Sequence, residues 1–177
     1  MGFKKILGTS ILAASLLLSP LVATANNWTE FRSPDGFTVS LPGQPKMTTS
    51  DDGTPVGKVH TNVYFVHTGK ADYTVAVTTI PGLAMFLGGG RVYSEARKQF
   101  LKTNTATEVS FGPSTFAGHK CKELVYTNDS SEGRCEMFMV GHRLYCVDAN
   151  HLRGSSPGEN QAFFSSFHLM PNVAAGE

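Results

Sequence analysis

The chain has 177 residues, 15 Lys and Arg against 14 Asp and Glu, 41% hydrophobic residues and three cysteines. A net charge of +1 gives no electrostatic footprint for nucleic acid or an anionic membrane surface. Three cysteines exclude a disulfide-dense scaffold, and in an exported protein they leave at least one thiol unpaired.

The opening MGFKKILGTSILAASLLLSPLVATANN sets Lys4 and Lys5 before an apolar stretch from Ile6 to Leu18. Ala23-Thr24-Ala25 has the small-x-small form that signal peptidase accepts, so residues 1–25 read as a secretory signal peptide cut after Ala25. A membrane anchor fits less well, because the apolar core is thirteen residues long and stops at Pro20, against the ~20 residues that span a bilayer. The first cysteine is Cys121, so no lipid-bearing Cys follows the cleavage site. The mature chain, residues 26–177, is expected to be periplasmic or secreted, with no membrane span. Removing Lys4 and Lys5 leaves 15 − 2 = 13 basic residues against 14 acidic ones. It reads as one domain, long enough to bury ~70% of its unfolded surface.

Period-two patterns dominate the mature chain, which argues for strands. Trp28 to Phe31 and Phe37 to Leu41 are joined by a turn at Asp35-Gly36, and Lys46 to Ser50 is closed by Asp51-Asp52-Gly53. Val59 to His67 and Tyr73 to Ile80 are rich in β-branched and aromatic residues, with a hairpin loop at Thr68 to Ala71. The period then changes. Val92, Tyr93, Ala96, Phe100 and Leu101 make one stripe of a helix that follows Gly88-Gly89-Gly90 and ends near Asn104. Strands resume at Glu108 to Phe111, Lys120 to Thr127, Cys135 to Val140 and Arg143 to Ala149, the last two joined by a Gly141-His142 turn. Ser156-Pro157-Gly158-Glu159 forms a capping box ahead of a short helix that lays Phe163, Phe164 and Phe167 on the sheet, and residues 172–177 are expected to fray. The order predicts an α+β fold with a mainly antiparallel sheet and two helices packed on it.

Three segments carry a family resemblance: Phe31-Arg-Ser-Pro-Asp-Gly-Phe-Thr-Val-Ser-Leu-Pro-Gly-Gln-Pro45, Val140-Gly-His-Arg-Leu-Tyr145 and Phe163-Phe-Ser-Ser-Phe167. Over residues 28–171 the chain resembles the secreted bacterial domains of the PsbP/DcrB-like kind. The resemblance implies an antiparallel sheet with helices packed on it, in agreement with the patterns. It also implies a non-catalytic envelope or lumenal factor that binds proteins, in some members with metal ions. No metal-ligand motif of the family maps onto residues of this chain. DcrB-like proteins are often lipoproteins, and this chain lacks the Cys for that.

The stretch CEMFMVGHRLYC, residues 135–146, is the densest chemistry in the sequence. A two-residue turn at Gly141-His142 pairs Val140 with Arg143, Met139 with Leu144, Met137 with Cys146 and Cys135 with Asp148. Cys135, Met137, Met139, Leu144 and Cys146 then share one face, joined by Cys121 if the register allows. Thiolate and thioether side chains on one surface suit Cu(I), so Cys135, Met137, Met139 and Cys146 form a candidate metal face. The reading favoured over it is a core packed beneath a helix, with no metal or cofactor, because Cys and Met are common core residues. Neighbours on a flat strand also sit ~5 Å or more apart, wide for several bonds to one small ion. Cys135 and Cys146 are diagonal in this register, so reduced thiols are expected, Cys121–Cys135 being the least improbable bridge.

Other candidates are weaker. Gly88-Gly89-Gly90-Arg91 lacks the Lys-Ser/Thr of a phosphate loop and reads as a connection. Leu83, Met85, Phe86 and Leu87 form an unusually apolar stretch, the best guess for an interaction surface if it does not tuck under the sheet. His60 and His67 fall on opposite strand faces, His142 sits in a turn, and Asp148 is a structural carboxylate before it is a working one. Asn27-Trp28-Thr29 and Asn128-Asp129-Ser130 match the glycosylation sequon, discounted because the resemblance is bacterial. No nucleophile–base set assembles. The expected function is an exported, non-catalytic accessory that binds an envelope protein; the alternative is a periplasmic copper-binding protein.

Overall fold

The computed structural model describes residues 28–54, 57–82, 88–155 and 158–171. The expected cleavage site at Ala25, the apolar stretch Leu83 to Leu87, the Ser156-Pro157 cap and the tail 172–177 lie outside the described residues. In chain order the strands are β1 (Thr29–Arg32), β2 (Phe37–Leu41), β3 (Lys46–Thr54), β4 (Gly57–His67) and β5 (Ala71–Thr79). Helix α1 (Gly89–Thr103) precedes β6 (Thr107–Phe116), β7 (His119–Thr127), β8 (Ser131–Val140) and β9 (Arg143–Leu152). Helix α2 (Gly158–Ser166) and β10 (His168–Leu169) close the fold. The fold is α+β with antiparallel sheets, as the patterns predict.

Seven strands form one sheet in the order β3-β4-β5-β9-β8-β7-β6, and β1-β2-β10 form a second, smaller sheet. The small sheet and α2 cover one face of the large sheet. There Phe37, Val39 and Leu41 of β2, Phe163 and Phe164 of α2, and Phe167 just after the helix meet Tyr73, Val75, Phe138, Tyr145 and Val147. Phe138 stacks on Tyr145 with centroids 5.2 Å apart and Phe37 stacks on Phe167 at 5.5 Å. Each fully buried Phe contributes roughly 1.5–3 kcal/mol of transfer free energy, so this face holds most of the hydrophobic stabilisation. The other face carries α1, whose Val92, Tyr93, Ala96, Phe100 and Leu101 lie over Leu124, Tyr126, Cys135, Met137 and Leu144. No residue of α1 is fully buried, so this second core is thinner. No helix among the described residues is long and apolar enough to cross a membrane.

Turn chemistry seats the small sheet on the large one. In Ser33-Pro34-Asp35-Gly36 the Gly36 amide donates to Ser33 O at 3.2 Å and Gly36 takes φ 87°, a region that suits glycine. The Asp35 carboxylate accepts from Tyr64 Oη at 2.7 Å and Asn62 Nδ2 at 2.9 Å. Its backbone carbonyl accepts from Arg143 Nη1 at 2.9 Å and Tyr145 Oη at 3.1 Å. One turn residue thus bonds to β4 through its carboxylate and to β9 through its backbone carbonyl, and the bonds to β4 are the ones that call for Asp in the motif Ser-Pro-Asp-Gly.

Strands run longer than the apolar patterns suggest. β3 continues through Asp51-Asp52-Gly53, expected as a turn, because all nine of its residues pair with β4 and His60 Nδ1 sits 2.7 Å from Asp51 Oδ1. β6 extends to Phe116 across a bulge at Val109. The helix end at Asn104 is as expected, with Asn104 Nδ2 donating to Phe100 O at 2.9 Å.

Gly133 of β8 is a packing glycine. A Cβ there would lie 2.6 Å from Tyr126 Cζ and Oη and 2.8 Å from Asn150 Cβ. Tyr126 cannot retreat, being fully buried with its ring edge-on to Phe100 at 5.0 Å. Gly133→Ala is therefore expected to cost about 2–3 kcal/mol, read as a fall in thermal midpoint; an unchanged midpoint would show that the Tyr126 site is looser than its contacts imply.

Candidate functional site

The β8–β9 hairpin has the register expected from its two-residue turn: Val140 opposes Arg143, Met139 Leu144, Met137 Cys146 and Cys135 Asp148. Gly141 supplies a positive φ of 54° and His142 is exposed in the turn. Cys135, Met137, Met139, Leu144 and Cys146 share the face beneath α1. Cys135 and Met137 have no exposed surface, and Met139 and Cys146 are half-buried. Burial first, then Cys146 and Asp148 beside it, pushes the Cys135 thiol well up. A soft cation binds the thiolate, which burial here disfavours, and the same side chains pack against α1.

Cys121 does not join that face. Leu124 opposes Cys135 and Lys122 opposes Met137, which turns Cys121 to the opposite side of the sheet, beside Ser114 of β6. A Cys121–Cys135 bridge, the least improbable pairing from sequence, is thereby ruled out by the sheet itself, and all three cysteines are free. His60 and His67 do fall on opposite faces, held by Asp51 at 2.7 Å and Asp72 at 2.8 Å. Asn128 of the second sequon closes the β7–β8 turn, its Oδ1 accepting from the amide and hydroxyl of Ser131, both at 2.8 Å.

The site that sequence reasoning missed lies on the face Cys121 reaches. On this side Phe116 of β6 packs on Phe164, Phe138 of β8 packs on Phe167, and α2 borders β6, β7 and β8. Two adjoining hollows of about 500 and 440 Å³ follow the helix and share Arg134, Gln161 and Phe164. Alternation along β8 places Glu132, Arg134 and Glu136 in a row on the floor, with Glu123 of β7 beside them.

Arg134 is the centre of this groove. Its Cζ lies 4.1 Å from the Phe164 ring centroid, a cation–π contact that anchors the guanidinium against α2. It approaches Glu123 Oε2 at 3.6 Å and Glu136 Oε1 at 3.5 Å. Both separations exceed the 2.7–2.9 Å of a closed charge-assisted hydrogen bond, so neither pair is tightly made. Glu136 is buried, and burial raises its pKa although Cys121 and Arg134 act to lower it. Cys121 Sγ donates to Glu136 Oε2 at 3.2 Å, and burial followed by that carboxyl pushes the thiol up to about 12. The groove therefore holds a thiol rather than a nucleophilic thiolate. At its other end His151 lies between Asn160 Nδ2, 3.0 Å from Nδ1, and Glu132 Oε1, 3.2 Å from Nε2. Those partners select the tautomer with the proton on Nε2. The arrangement offers polar and charged recognition over an elongated floor. Only the alternation of Glu132, Arg134 and Glu136 hinted at it in the sequence, as three charges on one strand face.

Comparison with solved structures places this chain beside a cyanobacterial PsbP (CyanoP) from Synechocystis sp. PCC 6803. The two are 14% identical with a TM-score of 0.49, over 86% of this chain and 98% of that one. A crystal structure from Bacteroides thetaiotaomicron VPI-5482 is similar at 12% identity and a TM-score of 0.41, over 79% of this chain and 47% of that one. No family model matches the chain, and no curated protein matches it in sequence. The first structure carries the family name that the sequence motifs suggest; the α+β assignment itself stands on the strands and helices described above.

Proposed function

We propose that this protein is an exported, non-catalytic accessory of the cell envelope that binds another protein through the groove between α2 and β6–β8. The observation that carries the reading is Arg134, stacked on Phe164 and flanked by two carboxylates at 3.5 and 3.6 Å. At these separations neither pair is a closed charge-assisted hydrogen bond, and a loosely paired guanidinium and its carboxylates can exchange those contacts for a partner's. Cys121, kept as a thiol, and the leader with its site at Ala25 support the non-catalytic and exported parts of the reading.

A photo-crosslinking residue placed at Gln161 or Ser165, both on the groove wall, tests it in cells. One discrete adduct is expected from these positions and none from Lys98, on the exposed side of α1. Arg134→Ala in the same chain is expected to reduce the adduct about tenfold or more. Equal labelling from Lys98, or an adduct indifferent to Arg134→Ala, removes the groove from the reading.

A further inference from the structure

The two edges of the large sheet differ in character. At one end β6 is obstructed: Val109 is extruded at a bulge and 62% exposed, and Pro113 lacks an amide hydrogen. Bulges and prolines are the devices that blunt an edge against further pairing. At the other end β3 has neither. Its nine residues pair with β4 without a register shift, every residue from Lys46 to Gly53 is exposed, and Pro45 stands ahead of the strand rather than in it. Among the described residues such an edge presents alternate amide and carbonyl groups with no strand beyond them.

Charge along β3 is polar in sense. Lys46 stands at one end and Asp51 and Asp52 at the other, with Thr48, Thr49 and Ser50 between them. A strand of this kind complements its own reverse. We propose that two copies of the chain associate antiparallel through β3, joining their seven-stranded sheets into one of fourteen strands.

The register follows from geometry. A two-fold axis perpendicular to the sheet keeps the two faces continuous, which requires opposed residues whose numbers sum to an even value. The register centred on Thr49 sets Lys46 opposite Asp52 of the second copy, Met47 opposite Asp51 and Thr48 opposite Ser50, with Thr49 opposite itself. The neighbouring registers, centred on Thr48 or Ser50, put Lys46 opposite Ser50 or Thr54 and lose the charge pair. Asp51, left opposite an apolar side chain, already has His60 as its partner at 2.7 Å. Met47, 50% exposed in the single chain, gains cover from the second copy. The surface lies at the far end of the sheet from the groove, so this inference stands or falls independently of the proposed function.

Sedimentation equilibrium of the purified protein at increasing concentration is the test. It is expected to give a mass that rises to twice that of one chain. Lys46→Asp and Asp52→Lys each set like charges opposite, twice per interface, and each is expected to weaken association about tenfold or more. The two substitutions together restore the pairing in reversed sense, and association returns to near the parent value. Both side chains are exposed, so at dilutions where parent and variant are single chains the thermal midpoint of each variant is expected to match the parent's. A single-chain mass at the highest soluble concentration overturns the proposal. So does a dimer that ignores the reversals, one that the double variant fails to restore, or a single chain whose β3 pairs instead with an extended segment of another protein.

Discussion

Replacing Asp148 with Asn is expected to flatten most of the dependence of stability on pH between about pH 4 and pH 8, and to leave the variant more stable than the parent at the upper end. Asp148 is 6% exposed on β9, its Oδ1 accepting from Tyr126 Oη at 2.9 Å. Burial pushes its pKa up from 3.8 to about 8; Tyr126 acts against that rise and Asp72 adds to it. Between those values the folded chain keeps a proton that the unfolded chain has released. The folded state binds more protons, so the free energy of unfolding falls as pH rises, beginning near 4 and saturating near 8. At 1.36 kcal/mol per unit, the fall is on the order of 3–6 kcal/mol. Glu136, also raised by burial, adds a slope of the same sign, so some pH dependence survives in Asp148→Asn. At pH 4 the variant is expected to be about 1 kcal/mol less stable than the parent, since the amide brings hydrogens that need acceptors. Urea denaturation of both proteins at pH 4, 6 and 8 reads the effect. Parent stability that rises across this range, or an unchanged slope in the variant, would falsify the assignment.

Asp35→Ala is expected to lower stability by about 3 kcal/mol, a fall in thermal midpoint of roughly 6–12 °C for a chain of this size. The loss has two parts. Two hydrogen bonds to a carboxylate disappear, from Tyr64 at 2.7 Å and from Asn62 at 2.9 Å. Tyr64 is also 3% exposed, so its hydroxyl is left in a site that water reaches poorly. The backbone bonds from Arg143 and Tyr145 to Asp35 O survive the substitution, which isolates the carboxylate. Asp35→Asn keeps one acceptor oxygen and is expected to cost about half as much. Calorimetry on the three proteins gives the order parent, Asp35→Asn, Asp35→Ala. An alanine variant that melts with the parent would mean that the small sheet is held by its apolar contacts alone.

Both predictions rest on polar residues whose importance was only partly legible. Asp148 is recognisable as inward-facing once the hairpin register is written down, because it opposes Cys135. Its partner Tyr126 is two strands away from it, and no local pattern links them. Asp35 is recognisable as a turn residue, and its Gly36 neighbour as the positive-φ position. That its carboxylate reaches 29 residues ahead to Tyr64 and its carbonyl 108 residues ahead to Arg143 is a matter of packing alone.

Local rules settled the elements and the hairpin. A two-residue turn leaves a single register open, so residues 135–148 could be assigned to faces without coordinates. The helical stripe ending near Asn104 was likewise written in its period, and the second helix in the Ser-Pro-Gly-Glu signal ahead of it. The tertiary structure decided what depends on closing longer loops. The β7–β8 turn at Asn128 to Ser130 sets a register in which Leu124, not Cys121, shares a face with Cys135; a slip of one residue would reverse every side chain on β7. The pairing of β5 with β9, the lone β10 strand that makes β2 the centre of a second sheet, and the groove left beside α2 belong to the same class. Their energies come from burying surfaces far apart in the chain, and a sequence pattern holds no record of which surfaces meet.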